Sequence, residues 1–292
     1  WHIKDARNTL IESFALVARN MDPDVVVMEN VPEMLSRKYW DHFSSACSIL
    51  ISAGYNVRQV IYNCATFGAP QARFRALVIG MKQKFSMPEG VLVPDRFLTV
   101  REAIGKLPSL KPGCINANDP LHMVAKHREE TIEIIKQIPK NGGSRPFGIG
   151  PKCLDRVNGY YDVYGRLSWD KPAITITHYS RNPASGRYVH PQQDRGLSIR
   201  EVANLQSFPK GFIFQGSFDE KFSQIGNAVP PRFSCFVAAN ILCELGSSVE
   251  PRQCEIGPKD ITSAVTNSYS SVIASLKLCR KDSNEQICAN SY

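Results

Sequence analysis

Apolar residues recur with two different periods over the first part of the 292-residue chain. Leu10, Phe14 and Val17 fall on one helical face and predict an amphipathic helix over 9–21. The continuous apolar run at 25–28 predicts a short strand buried on both faces, as in a parallel sheet. A second helical pattern and two further strand patterns cover 40–54, 57–62 and 76–79. Because strands and helices alternate, the pattern predicts an α/β sheet domain.

The pattern changes after about residue 80, where Pro and Gly become frequent. Residues 139–151 hold four glycines and three prolines and predict a loop. Ser198 with Glu201 three positions later predicts a capped helix, and Pro231 predicts the first turn of another. These signals predict a separate, loop-rich second domain over 81–216.

Composition narrows the class of protein and of partner. The chain is 43% hydrophobic and 21% charged, which is typical of a globular protein. Its net charge of +8 favours a polyanionic partner such as DNA. Nine cysteines include no CxxC pair, so we predict no metal site and expect free thiols in a reducing, intracellular compartment. The sequence shows neither an apolar run of membrane-spanning length nor a signal peptide.

Two motifs in the first domain combine charge with a position suited to chemistry. Glu29-Asn30-Val31 directly follows the apolar strand, and ligands gather at the carboxyl ends of strands in open α/β sheets. Gln71-Ala72-Arg73-Phe74-Arg75 places two arginines on one face of a strand, where their forks suit phosphate or a base carbonyl. Taken alone, these motifs also fit a surface carboxylate and an exposed basic edge strand.

Two further motifs lie near the end of the chain. Residues 200–209 read Arg-Glu-Val-Ala-Asn-Leu-Gln-Ser-Phe-Pro, and residues 224–231 read Gln-Ile-Gly-Asn-Ala-Val-Pro-Pro. Gly226 permits close backbone approach, and Asn227 can bond a carboxylate or a ribose. The alternative for Asn227 is an ordinary helix cap.

In this order and with these gaps, the four motifs resemble those of the DNA (cytosine-5)-methyltransferase family. The resemblance runs from Asp5 to about Leu245. It implies a Rossmann-like methyltransferase sheet lobe, incomplete at its N-terminus, over 1–80 and 217–245. The loop-rich α+β domain over 81–216 then corresponds to the target-recognition lobe. Residues 246–292, rich in Ser, Asn and charge, are expected to form a poorly ordered tail.

The resemblance also implies an activity, which is methyl transfer from S-adenosyl-L-methionine to C5 of a cytosine flipped out of double-stranded DNA. Glu29, beside Asn30, matches the glutamate that holds cytosine N3 and the exocyclic amine. Arg73 and Arg75 match the arginines that stabilise the flipped base. The matching cofactor positions are Leu10, Gly226, Asn227, Ala228 and Val229. DNA contacts are expected from Gln71, Arg145, Arg166, Arg181 and Arg187, with Lys140, Ser144, His178 and His190 as further candidates, although surface charge alone also explains such residues.

The family nucleophile is a cysteine in a Pro-Cys dipeptide upstream of the glutamate motif. This sequence opens on Trp1 and contains no Pro-Cys dipeptide, and the family's Gly-rich cofactor loop is also missing. Cys64 is rejected as a substitute, because a lone cysteine is usually a packed small hydrophobe. Three hypotheses follow: a truncated methyltransferase, one subunit of a split enzyme whose partner chain supplies the missing motifs, and a DNA-binding pseudoenzyme. Under each, this chain alone is expected to transfer no methyl group.

Overall fold

The computed structural model of the protein describes residues 9–36, 40–156 and 162–246. These residues form the mixed α/β class that the sequence predicts. The helices are α1 (Leu10–Met21), α2 (Trp40–Ser52), α3 (Val100–Ile104), α4 (Glu129–Lys136), α5 (Ile199–Leu205), α6 (Phe218–Asn227) and α7 (Pro231–Leu245). The strands are β1 (Val25–Asn30), β2 (Asn56–Asn63), β3 (Gln71–Ala72), β4 (Phe74–Met81), β5 (Ile115–Asn116), β6 (Asp119–Met123) and β7 (Ala173–Ile174). The predicted tail lies outside the described residues after Gly246.

By its internal contacts the chain divides into two compact units. Within the described residues, the first unit comprises 9–36, 40–63, Phe74–Glu89 and 238–246, and the second comprises Cys64–Arg73, 90–156 and 162–237. This division joins 217–237 to the second unit, whereas the sequence prediction assigns them to the sheet lobe. The physical reason is that side chains of the second unit, Arg73 and Gln206, bind the end of α6. The functional assignment of the lobes stays a prediction.

The first unit contains a three-stranded sheet in the order β1-β4-β2. Strand β4 is antiparallel to both neighbours, with Val25 opposite Met81 at one end of the β1–β4 ladder and Asn30 opposite Ala76 at the other. The prediction that the 25–28 run is a parallel strand buried on both faces is therefore wrong. Because β4 is its one hydrogen-bonded neighbour among the described strands, β1 is an outer strand, and Val27 is 41% exposed.

Helices α1 and α2 cover the sheet of the first unit. Helix α1 ends at Asp22, which adopts the left-handed conformation and donates its N–H to Ala18 O. Helix α2 ends before Gly54, which has a φ of +86° and so favours a residue without a Cβ atom. Their small residues pack with sheet and loop side chains in one cluster, which contains Ala15, Ala18, Val26, Ala46, Leu50 and Tyr55. No helix in the described ranges combines the length and the apolar character needed to span a membrane.

The second unit is built around α5, which is buried on nearly every side. The predicted capping box is present, since Ser198 Oγ accepts from Glu201 N and the Glu201 carboxylate accepts from Ser198 N. Short elements surround α5: the parallel pair β3–β7, the antiparallel pair β5–β6, and helices α3 and α6. Their shared core includes Val100, Leu167, Ile176, Ile199, Val202, Phe222 and Ile225.

A buried ionic network fixes the segment that precedes α5. The Arg195 guanidinium donates to both carboxylate oxygens of Glu201, at 2.8 and 2.7 Å, and both side chains are at most 1% exposed. Burial by itself would raise the pKa of Glu201, but the hydrogen bonds and charge of Arg195 outweigh it and hold that pKa below its ordinary value. Burial lowers the pKa of the neighbouring His190 to about 4.

Candidate active site

The glutamate of the first motif lies at the carboxyl end of β1, as the sequence predicts. Its carboxylate oxygen Oε1 is 2.7 Å from Nε of Arg75, which comes from the adjacent strand β4. The Glu29 and Arg75 side chains are 24% and 11% exposed. The next residue, Asn30, accepts a hydrogen bond from the Val31 N–H through its Oδ1 at 2.8 Å, which fixes the chain as it leaves the strand.

Glu29 Oε1 has an unusual environment for a buried oxygen. Although Arg75 lies close enough for charge pairing, the alignment of its N–H is not that of a hydrogen bond, and the atom accepts none from the described residues. Buried carboxylate oxygens normally accept hydrogen bonds, so this oxygen has capacity left for a donor other than the described residues. The Arg75 guanidinium also donates to Phe74 O at 2.7 Å, and further N–H donors of the group stay available. The pair can therefore receive a ligand with both donors and acceptors.

The other arginine of the pair occupies a different environment, in the second unit. Arg73 is 2% exposed. Its Nη1 donates to Ile176 O at 2.6 Å, and its Nη2 donates to Gly226 O at 3.0 Å and Ala228 O at 3.2 Å. The expectation that the two arginines share one strand face is wrong, because Arg73 precedes Phe74, the first residue of β4. A contact between Arg73 and a flipped base stays a prediction.

Two glutamines join this arginine in a buried hub. Gln71 accepts from Ile176 N at 3.0 Å and donates to Leu205 O at 3.0 Å, and its amide also contacts that of Gln206. Gln206 donates to Ile225 O and Ala228 O at 2.9 and 2.7 Å. The three motifs that contain Gln71, Gln206 and Gly226 therefore meet inside the second unit.

The glycine–asparagine motif forms the end of α6 and the turn that follows. The sequence analysis missed α6, although Ser217 and Glu220 form the same type of capping box that identified α5. A Cβ atom at Gly226 would lie 2.1 Å from His178 N, so packing inside the second unit by itself requires glycine there. Asn227 is exposed, and its amide has no hydrogen bond to the described residues, which leaves it available to a ligand.

The remaining cofactor positions differ in what they offer a ligand. Ala228 and Val229 are half-buried beside the turn. Leu10, in the first unit, opens α1 and is 61% exposed. Taken separately, the Asn227 amide can bond a polar group and the exposed Leu10 side chain can pack against an apolar one. The assignment of these five positions to the cofactor stays a prediction.

The candidate DNA contacts divide sharply by burial. Arg166 is fully buried and donates to the carbonyls of Ile135, Ile138, His190 and Gln193. The Arg145 side chain is 7% exposed and pairs with Asp155 at 2.8 Å, and Arg187 pairs with Asp162 at 2.8 Å. By contrast, Arg181 is 42% exposed and only loosely paired with Asp219 at 3.2 Å.

The geometry therefore favours a structural role for most of these residues. The donors of Gln71 and Arg166 are engaged by the protein itself, so binding DNA would first require breaking those hydrogen bonds. The sequence does not distinguish these residues from Arg181, because nothing in a loop-rich segment shows which basic side chains are buried and which are exposed. The DNA contacts stay predictions, and Arg181 with its exposed neighbours His178 and Tyr179 is the group that the geometry supports.

Cys64 lies in the turn between β2 and β3 and is fully buried. Its backbone N–H donates to Arg73 O at 2.8 Å. A thiol without exposure cannot reach C6 of a base, so the rejection of Cys64 as a nucleophile agrees with its placement.

Comparison with known proteins identifies the family of this site. A sequence-family model described as C-5 cytosine-specific DNA methylase matches residues 2–243. The Type II methylase M.HgiDII of Herpetosiphon aurantiacus is 33% identical over 243 residues, which cover 80% of this chain and 68% of the relative. The Type II methyltransferase M1.HphI of Haemophilus parahaemolyticus is 33% identical over 240 residues, which cover 82% of this chain and 62% of the relative. The chain thus spans between 62% and 68% of the length of these two relatives.

A solved E. coli chain, described as a DNA modification methyltransferase encoded within a prophage, shares the fold. Its TM-score is 0.65 at 20% identity, with 83% of this chain and 76% of that chain covered. At this identity the likeness concerns the fold alone. It confirms the Rossmann-like methyltransferase fold that the sequence motifs imply.

Proposed function

The chain belongs to the C-5 cytosine-specific DNA methylase family, and we propose that it acts in methyl transfer from S-adenosylmethionine to C5 of cytosine in double-stranded DNA. The observation that carries this proposal is the buried Glu29 Oε1, which lies beside Arg75 and accepts no hydrogen bond from the described residues. Such an oxygen can accept a hydrogen bond from a bound molecule. A pyrimidine base that is flipped from the DNA stack presents donors and acceptors side by side.

The chemistry of cytosine explains why a carboxylate and an arginine are needed together. C5 is a poor nucleophile until a thiolate adds to C6, and that addition places negative charge on the ring. In the proposed complex Glu29 holds N3 and the exocyclic amine, and unused donors of Arg75 stabilise charge at the base carbonyl. Both residues come from adjacent strands of one sheet, so their spacing is fixed before the base arrives.

S-adenosylmethionine supplies the electrophilic methyl group. Of this chain's residues, we assign the amide of Asn227 to polar contact with the cofactor and Leu10 to apolar contact. Gly226, Ala228 and Val229 form the backbone that presents Asn227. Because packing against His178 also demands glycine, the contribution of Gly226 to the cofactor is through the backbone shape of the turn.

We propose that the attacking thiolate comes from residues outside this sequence, which contains no Pro-Cys dipeptide. Strand β1, which carries Glu29 at its carboxyl end, is one of the two outer strands of the described sheet, and Val27 at its middle is 41% exposed. An outer strand presents backbone donors and acceptors that a further strand can use. The polypeptide that supplies the nucleophile is therefore proposed to extend the sheet beyond β1.

The experiment compares two preparations of the protein. The 292-residue chain is expressed alone and together with the polypeptide encoded immediately upstream, and each is given unmethylated DNA and tritium-labelled S-adenosylmethionine. We expect labelled DNA only in the second preparation, because covalent catalysis needs a thiolate at C6. Turnover by the chain alone would overturn the external nucleophile. DNA binding without turnover in either preparation would favour the alternative, a DNA-binding pseudoenzyme.

A further inference from the structure

The buried Arg73 side chain joins two segments that are far apart in the sequence. Its Nη1 binds the carbonyl of Ile176, which follows β7, and its Nη2 binds the carbonyls of Gly226 and Ala228 at the end of α6. The sequence separations are 103, 153 and 155 residues. A single guanidinium therefore holds two distant loops at a fixed distance, since its nitrogens are rigidly coplanar.

The end of α6 explains why a cation is placed there. The last four carbonyls of a helix have no intrahelical partner, and the C-terminal end of a helix carries partial negative charge. Arg73 satisfies Gly226 O, and Gln206 satisfies Ile225 O at 2.9 Å. The C-terminus of α6 is thus capped by side chains from outside the helix, and its position depends on them.

The other segment held by Arg73 leads into an exposed aromatic loop, residues 177–182. His178 and Tyr179 are exposed, with ring centroids 3.9 Å apart. The backbone of this loop is ordered by Ser185 Oγ, which donates to Tyr179 O at 2.7 Å, and by Ser180 N, which donates to Thr177 O at 3.0 Å. The two adjacent rings are tilted by 42° to each other. Two exposed rings next to the partly exposed Arg181 are suited to contact with nucleic acid.

The 177–182 loop and the 226–228 turn are also in direct backbone contact. A Cβ atom at Gly226 would lie 2.1 Å from His178 N and 2.2 Å from the Thr177 carbonyl carbon. The two segments therefore cannot move independently without opening this contact. Arg73 lies at the same junction and bonds both segments directly, beside the hydrogen bonds that Gln71 makes to Ile176 and Gln206 makes to Ala228.

We propose that Arg73 is a positioning residue that clamps the 177–182 loop to the 226–228 turn, so that DNA held by the loop orders the turn. The identities of the two ligands rest on the function proposed above, whereas the clamp itself rests only on the contacts described here. Because coupling between sites is reciprocal, a ligand on the turn also orders the loop. The clamp acts through the loops and requires no contact between Arg73 and the base.

The test measures backbone amide hydrogen exchange, by mass spectrometry, in the full 292-residue chain and its variants. Arg73→Met removes the three side-chain hydrogen bonds described above, and Arg73→Lys keeps the positive charge but loses the planar guanidinium group. The matched control is Arg101→Met, since Arg101 lies in the same unit with its side chain 56% exposed in a surface ion pair with Asp170. Exchange is followed in 176–182, in 226–229 and, as a reference, in α4.

Without ligand, we expect Arg73→Met to speed exchange about tenfold or more in both 176–182 and 226–229, because each hydrogen bond from a charged donor is worth at least that factor. Arg73→Lys should restore part of the protection in both segments together, and α4 and the Arg101→Met control should not change. Faster exchange in only one segment, or an equal rise throughout the second unit, would overturn the clamp. The Lys variant decides the question if the Met variant does not fold.

A duplex DNA probe then tests the coupling. In the wild-type chain, DNA should slow exchange in 177–182 and also in 226–229, whereas in Arg73→Lys the slowing should persist in the loop and be lost in the turn. Slowing of both segments in the variant would overturn the coupling. If DNA changes nothing in the wild-type chain, the DNA partner of the proposed function fails, and the ligand-free exchange still decides the clamp.

Discussion

Replacing Glu201 by Gln removes one charge from the buried network before α5 and should strongly destabilise the second unit. Glu201 accepts two hydrogen bonds from Arg195 and one, at 2.7 Å, from Ser198 N. In Glu201→Gln the amide group would place N–H donors against the Arg195 guanidinium, which is 0% exposed and keeps its charge. The folded state would then contain a buried cation without its anion.

The magnitude follows from the burial of the pair. Removing one partner of a buried ion pair costs about 3–5 kcal/mol, because the remaining charge is neither hydrated nor neutralised. The capping contribution should be small, since Gln at this helix position can also accept from the backbone of the cap residue. Against a total stability of about 5–15 kcal/mol, this loss is a large fraction of the whole.

The chain offers a matched control for the capping term. Glu102 makes the same capping box with Thr99 at the start of α3, but it is exposed and has no buried arginine partner. Glu102→Gln should therefore cost less than about 1 kcal/mol. The difference between the two variants in the loss of unfolding free energy measures the contribution of the Glu201–Arg195 ion pair.

The assay is urea unfolding followed by tryptophan fluorescence. The chain contains three tryptophans, and Trp169 packs against the core of the second unit with its ring 5.3 Å from that of His190. In a background with Trp1 and Trp40 replaced by Phe, the signal reports this unit alone. A cost below about 1 kcal/mol for Glu201→Gln, at an unchanged m value, would refute the reasoning that the buried pair anchors α5.

Three further predictions concern the pH dependence of stability, the reactivity of the cysteines and the roles of two arginines. The free energy of unfolding should fall by roughly 3 kcal/mol as the pH drops from about 6.5 to 4, because burial lowers the pKa of His190 to about 4. Over this pH range the unfolded chain binds a proton at His190 and the folded chain does not. Urea midpoints measured across the range would show the fall, and His190→Asn should make it smaller. Iodoacetamide should alkylate the exposed Cys114 and Cys153 within minutes at pH 8. Cys47 should react only after the chain is unfolded, because burial raises its pKa to about 12. Peptide mass spectrometry would measure both rates. Arg181→Met should weaken DNA binding, measured by fluorescence anisotropy, without changing the urea midpoint of unfolding. Arg166→Met should instead lower that midpoint by the equivalent of more than about 3 kcal/mol, because Arg166 is fully buried. The reverse pattern would contradict the assignment of Arg166 to the core.

The sequence predicted the helices and strands that depend on interactions between residues close together in the chain. The capping box at Ser198 and the apolar periods of α1 and α2 depend on neighbours within a few residues, and each predicted element is present. The position of Glu29 at the end of β1 followed from the same type of signal. The ion pair of Glu29 with Arg75 did not, since it requires that β4 lie beside β1 in a particular register.

The remaining features depend on packing between residues far apart in the sequence, and two expectations about them were wrong. The run at 25–28 has the composition of an internal strand, but its partner β4 runs antiparallel and leaves Val27 partly exposed. Arg73 and Arg166 look like surface cations in the sequence, yet both are buried because backbone carbonyls from distant segments surround them. No pattern in the sequence shows where those carbonyls lie.

The proposed function depends most on Glu29, which we propose binds N3 and the exocyclic amine of the target cytosine. The most direct test is methyl transfer by the chain together with the polypeptide that we propose supplies the nucleophile, with kcat and the Kd for DNA measured for the wild-type protein and for Glu29→Gln. We expect kcat to fall on the order of 10²-fold or more while the Kd for DNA changes less than about threefold, because Glu29 makes this interaction in the transition state. An unchanged kcat, or equal losses in kcat and DNA affinity, would contradict it.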